Sequence, residues 1–115
     1  MSTLTDALER IFNWLRANHQ EAASSLQPGL SYEEIEAKLA HLPFRLPQEV
    51  YELYQWRNGM DGETSFFYDY TFLSLEESLE RIKFWESENL DAYIPFGWFP
   101  LFEFEGEWFG ITKLL

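Results

Sequence analysis

The segment LPQEVYELYQWRNG, Leu46 to Gly59, limits the fold more than any other part of the chain. Pro47 suits the first helical position, where its missing N–H costs nothing. Asn58-Gly59 supplies a stop, because glycine takes the left-handed conformation that closes a helix. At 100° per residue, Trp56, Leu53, Val50, Tyr54 and Tyr51 sweep an arc of roughly 220°. A surface helix needs only about 100° of apolar face. Gln48, Glu52 and Gln55 share the narrow side that is left. This helix is expected to be wedged against neighbours on most sides, with its aromatics, Tyr51 and Trp56 included, filling a core. Arg57 near its end favours the negative pole of the helix dipole.

The remaining segments must supply those neighbours. Leu4, Leu8, Ile11 and Leu15 repeat at helical spacing, widened by Ala7, Phe12 and Trp14, and predict a helix from about Thr5 to Asn18. EAASSLQPGLS loses that period and reads as a loop, with a turn at Pro28-Gly29. Ser31 with Glu34 three residues on has the spacing of a capping box opening a second helix, which carries Ile35 and Leu39 on its apolar edge. HLPFRLP ends it. Asp61-Gly62 is a turn signal, and Phe66, Phe67, Tyr68, Tyr70 and Phe72 suit strands. Ser74 and Glu77 form a second capping box before a helix lined by Leu75, Leu79, Ile82 and Trp85, with Glu77 and Arg81 spaced for an ion pair. In YIPFGWFPLFEFEGEWFGITKLL the alternation predicts a hairpin turning at Glu105-Gly106. Its register pairs Phe104 with Glu107 and Phe102 with Phe109. Phe102, Phe104, Phe109 and Ile111 then form the core face, and Leu101, Glu103 and Trp108 the other.

Twenty acidic residues against eight basic ones give a formal net charge of −12 over 115 residues, the length of one domain. Nucleic acid and anionic membrane surfaces are repelled by such a charge. A basic protein partner is attracted, its association accelerated ~10-fold or more at low salt. There is no cysteine, so thiol catalysis, thiolate metal sites and disulfides are excluded. With no secretory leader in MSTLTDALERIFNWLRANHQ and no run of 18 apolar residues, the expectation is a cytoplasmic protein.

Chemistry-bearing motifs are scarce. His19 and His41, the only histidines, stand at helix ends with no metal-ligand spacing around them. Asn58, Asp61 and Glu63 lack the alternation and closing glutamate of a calcium loop. Glu103, Glu105 and Glu107 alternate along the hairpin. Facing carboxylates can hydrolyse glycosides, but beside a turn they read as a solvated rim that blunts the hairpin. No phosphate loop or serine nucleophile elbow is present. No catalytic residue, metal or cofactor is therefore assigned. Trp108, beside Glu103 on the outer face, has the character of a binding hot spot unless a helix covers it.

LSYEEIEAKLAHLPFRLPQEVYELYQWRNGMDG resembles the signature region of the SUKH superfamily, the domain of the yeast cell-wall-synthesis regulator and its bacterial relatives. The likeness is carried by Leu46-Pro47, Leu53, Tyr54, Trp56 and Asn58-Gly59. It continues through Phe72-Leu73-Ser74-Leu75-Glu76-Glu77, Trp98-Phe99-Pro100-Leu101 and Trp108-Phe109-Gly110-Ile111, and so covers roughly Ser31 to Ile111. The resemblance implies an α+β fold, a mainly antiparallel β-sheet with helices packed around it, in a single domain spanning 1–115. It also implies a non-enzymatic role and brings no catalytic residue with it. Many bacterial members are similar to immunity proteins, which bind and block a toxin, often a nuclease; others are regulatory or scaffold modules. The expected contacts with a basic toxin are Asp61, Glu63, Asp69, Glu103, Glu105, Glu107 and Trp108. A hydrolase using the carboxylates is the competing class. It requires two acids converging in a pocket, one with a raised pKa.

Overall fold

The computed structural model describes residues 3–61, 70–89, 98–104 and 107–112. Along the chain run α1 (Thr3–Asn18), α2 (Gln20–Ser25), β1 (Leu26–Pro28), α3 (Tyr32–Leu39), α4 (Gln48–Trp56), β2 (Arg57–Met60), β3 (Thr71–Phe72), α5 (Leu75–Ser87), β4 (Trp98–Phe104) and β5 (Glu107–Thr112). β1 pairs with β2, and β3, β4 and β5 form a second sheet in that order, every pairing antiparallel. Helices pack around both sheets, so the fold is α+β.

The aromatic helix, α4, is the hub. Val50, Tyr51, Tyr54 and Trp56 are buried, Leu53 is half-buried, and Gln48 and Gln55 are exposed, as the wide arc requires. Phe72 of β3 stands 5.6 Å from the Tyr54 ring, 6.4 Å from Trp56 and 5.4 Å from Phe102 of β4. One aromatic stack thus joins helix to sheet. The Tyr54 hydroxyl donates to the Leu73 carbonyl at 3.0 Å, and Ser78 of α5 donates to the Pro100 carbonyl at 2.7 Å. Each hydroxyl has one proton, now committed, so the 3.4 Å approach of the two oxygens is a packing contact. Burial pushes the Tyr54 phenol up, so it stays neutral.

Both capping boxes form. Ser31 accepts from the Glu34 N–H while Glu34 accepts from the Ser31 N–H, and Ser74 and Glu77 do the same. Pro47 occupies the N-cap of α4 rather than its first turn; its carbonyl accepts the Val50 N–H at 3.0 Å. Arg57 follows the helix, donates to the Trp56 carbonyl at 2.7 Å and lies over the Phe12 ring.

Asn58-Gly59 does more than stop a helix. Both residues lie in β2, beyond the end of α4. The Asn58 amide is buried, accepting the Leu75 N–H at 2.8 Å and donating to Glu76 at 3.0 Å, so it caps α5 from another element. Gly59 has φ +74, and a Cβ there would lie 2.3 Å from the Ser74 nitrogen and 2.5 Å from its Cα. Glycine is needed because the backbone entering α5 passes directly over it.

Other expectations are corrected as well. The segment EAASSLQPGLS contains α2 and β1 rather than a loop. Its buried residues are the small pair Ala22 and Ala23, and Leu26 and Leu30 pack against the core from outside any helical period. Trp14 does not belong to the core stripe of α1: it is 60% exposed, and Ile11 is 39% exposed. α1 packs on α2 and α4, which cover the face bearing Leu8 and Leu15; Trp14 lies about 100° away from Leu15 around the helix. Arg81 pairs with Glu103 instead of Glu77, because the Glu77 carboxylate is held by the capping box.

The hairpin register pairs Phe104 with Glu107 and Phe102 with Phe109, as the alternation predicts. Its turn residues, and the strand expectation at Phe66, Phe67 and Tyr68, fall outside the described residues. A bulge between Pro100 and Phe102 inserts Leu101. A bulge points two successive side chains toward one side, so Leu101 joins Phe102 and Ile111 against the core instead of lying on the outer face.

Candidate functional site

α5 lies along the hairpin and turns Arg81 toward Glu103 of β4. The guanidinium grips the carboxylate with two bonds, Nε to Oε1 at 2.7 Å and Nη2 to Oε2 at 2.8 Å. From β5, the Trp108 indole N–H donates to the same Oε1 at 2.8 Å. Glu103 and Trp108 are cross-strand partners, so the register alone places them side by side. Trp85 of α5 meets Trp108 edge-on at 5.1 Å between centroids and lies 5.8 Å from Trp98. Trp85 is buried, and its indole N–H has no acceptor among the described residues.

Beside this network is an open depression of about 430 Å3, lined by Glu80, Arg81, Phe84, Glu103 and Trp108. Phe84 is 51% exposed. Glu80 and Phe84 are four residues apart, hence neighbours on one helix face. Two further concavities are smaller. One of about 230 Å3 lies between the end of α3 and α5, with Lys38, His41 and Lys83 around Leu42, Leu79 and Ile82. The other, of about 150 Å3, is walled by Leu4, Val50, Leu53, Leu101 and Ile111. Leu53 reaches that apolar recess; Tyr54 is wholly buried behind it.

Glu103 is not the solvated rim residue that its position near a turn implies. The Arg81 guanidinium holds its carboxyl below the usual range, against the upward push of burial, and the Trp108 N–H adds to the lowering. Glu76 shifts the same way: burial pushes it up, but hydrogen bonds from Lys38, Asn58 and its own backbone N–H outweigh that push. A carboxyl with a depressed folded-state pKa contributes stability that is complete above its unfolded value and lost as pH falls through the folded one. Stability is therefore expected to decline below about pH 4.3, the ordinary glutamate value. Urea midpoints between neutral and acid pH check this, with Glu103→Gln showing a shallower decline than the parent chain. Parallel declines would remove Glu103 from the account.

The other expected contacts are dispersed. Asp61 is exposed just beyond β2, where its N–H donates to the Ser25 carbonyl at 2.7 Å. Glu107 stands in β5 opposite Phe104. Glu63, Asp69 and Glu105 lie outside the described residues. The structure therefore brings Glu103 and Trp108 together and adds Glu80, Arg81 and Phe84, which sequence reasoning missed. Phe84 does interrupt the polar outer face of α5 one turn after Glu80, but nothing local in the sequence shows that this face meets the hairpin.

Antiparallel sheets wrapped by helices, with a paired carboxylate and an exposed ring on the hairpin side, define an α+β domain with a built surface depression. The sequence pattern of the SMI1 / KNR4 family (SUKH-1) matches residues 29–113, and the chain belongs to that family. Comparison with curated proteins gives no match. α1, α2 and β1 precede the matched region, which takes in the elements from α3 to β5. Among the described residues no helix is long and apolar enough to cross a membrane.

Proposed function

We propose that residues 1–115 form one non-enzymatic protein-binding domain of the cytoplasm, an immunity protein that neutralises a basic toxin, such as a nuclease, through its acidic surface. The observation that carries this reading is the depression beside Glu103: a carboxylate fixed by Arg81 and Trp108, next to the exposed Phe84 ring and the exposed Glu80. An anchored charge and a rigid ring lose little freedom on binding, which is what a hot spot needs. Asp61, Glu63, Asp69, Glu105 and Glu107 extend the negative field in a chain of net charge −12. The carboxyls of Glu34, Glu76 and Glu103 are all held below their ordinary value, the opposite of what a general acid requires, which speaks against these three as the proton donor of a hydrolase.

The test is direct binding of the purified chain to a basic toxin domain encoded beside its gene. A complex is expected whose association slows at least tenfold between low salt and 0.5 M salt. Glu80→Lys with Phe84→Ala is expected to weaken it tenfold or more and to restore toxin activity. Indifference to salt, or no complex with a neighbouring toxin, would sink the reading; a complex with a neighbouring signalling or cell-wall protein would replace it with a regulatory role.

A further inference from the structure

We infer that the depression between α5 and the hairpin is a receptor for one arginine side chain of the partner. This rests on the protein-binding reading and specifies its chemistry. Among the described residues the lining holds two carboxylates, Glu80 and Glu103, against one guanidinium, Arg81. One negative charge is left in excess, so a single cation completes the site. Arg81 already shows how Glu103 receives a guanidinium, side-on through two parallel bonds. Of the four lone-pair positions on that carboxylate, the described residues fill three, Oε1 taking Arg81 and Trp108 and Oε2 taking Arg81 once, which leaves one on Oε2 for an incoming donor.

The rings decide between arginine and lysine. Phe84 is 51% exposed on the rim and Trp108 is half-buried in the wall. A planar guanidinium stacks on such a ring while its N–H fork reaches a carboxylate beside it; an ammonium is a compact, strongly hydrated charge that does only the second. Glu80, on the same face of α5 as Phe84, supplies that carboxylate. The apolar stem of the arginine covers the exposed edge of Phe84.

The experiment titrates the full chain, followed by backbone and indole N–H resonances, with the blocked peptides Gly-Arg-Gly, Gly-Lys-Gly and Gly-citrulline-Gly. Citrulline keeps the shape and removes the charge. The arginine peptide is expected to move the Trp108 indole and residues 80–84, with the lysine peptide at least threefold weaker and citrulline inert. Phe84→Ala and Glu80→Gln are each expected to weaken the arginine peptide about threefold, the size of an exposed cation–ring contact, without lowering the melting temperature. Equal shifts with arginine and citrulline, shifts confined to other surfaces, a lysine peptide as good as arginine, or full affinity in Phe84→Ala would each overturn the proposal. A toxin that binds in a salt-sensitive way while the arginine peptide leaves Trp108 unmoved refutes this inference alone. An arginine peptide that binds here while no toxin does refutes only the choice of partner.

Discussion

Gly59→Ala is expected to destabilise the protein by about 3–5 kcal/mol, a large share of the roughly 5–15 kcal/mol that holds a domain folded. Two effects add. A side chain at φ +74 sits in the left-handed region, which costs an L-residue about 1–2 kcal/mol. The new Cβ would also lie 2.3–2.7 Å from Ser74 N, Ser74 Cα and Leu73 C, all backbone atoms that cannot rotate aside. Moving them shifts the N-terminus of α5, where the Leu75 N–H meets the Asn58 side-chain Oδ1 and Ser74 holds its capping box. Gly59→Asn separates the two effects. Asparagine tolerates left-handed backbone, so a purely conformational cost would be largely relieved by it; the close approach remains, and it is expected to fail alongside alanine. Urea denaturation measures both, and a loss under 1 kcal/mol for Gly59→Ala would contradict this account of Asn-Gly.

Tyr54 carries the second large effect, and it divides into two parts. Tyr54→Ala removes a ring that is 0% exposed and packed against Phe72, at an expected cost of about 3–5 kcal/mol. Tyr54→Phe keeps the ring and leaves the Leu73 carbonyl without its 3.0 Å donor, at a cost of about 1–2 kcal/mol. Because Ser78 donates to Pro100 and not to Tyr54, Ser78→Ala is expected to add its own loss to that of Tyr54→Phe rather than overlap it. Denaturant midpoints of the three variants and the Tyr54→Phe, Ser78→Ala double variant decide the matter. A strongly non-additive double variant would mean that the two hydroxyls bond to each other.

Elements whose signal is local were legible in the chain. The two capping boxes, the wide apolar arc of α4 and the hairpin register each follow from spacing within a few residues, and each stands where that spacing puts it. Signals that depend on a distant neighbour were not legible. α2 and β1 form because α1 and β2 supply partners for a stretch with little periodicity of its own. The Leu101 bulge reverses one side chain for the sake of the core beneath it. Asn58-Gly59 reads locally as a helix stop, whereas its burial, its capping of Leu75 and its positive φ all serve an element 17 residues onward. At the candidate site, the Glu103–Trp108 pair followed from register alone. Arg81, Glu80 and Phe84 required knowing that α5 packs against the hairpin, which no short-range pattern states.

The antiparallel pair β1–β2 bears on how this chain should be cut for study. The family match begins at residue 29, one position after β1 ends, yet β1 is the only partner of β2 among the described residues. A fragment trimmed to that match would strip away the strand that occupies the outer side of Arg57–Met60. It would also uncover the face of α4 on which Leu8 and Leu15 lie. An unpaired edge next to bare apolar surface is a template for association between chains. The packed elements therefore begin well before the residues recognised by the family's sequence pattern.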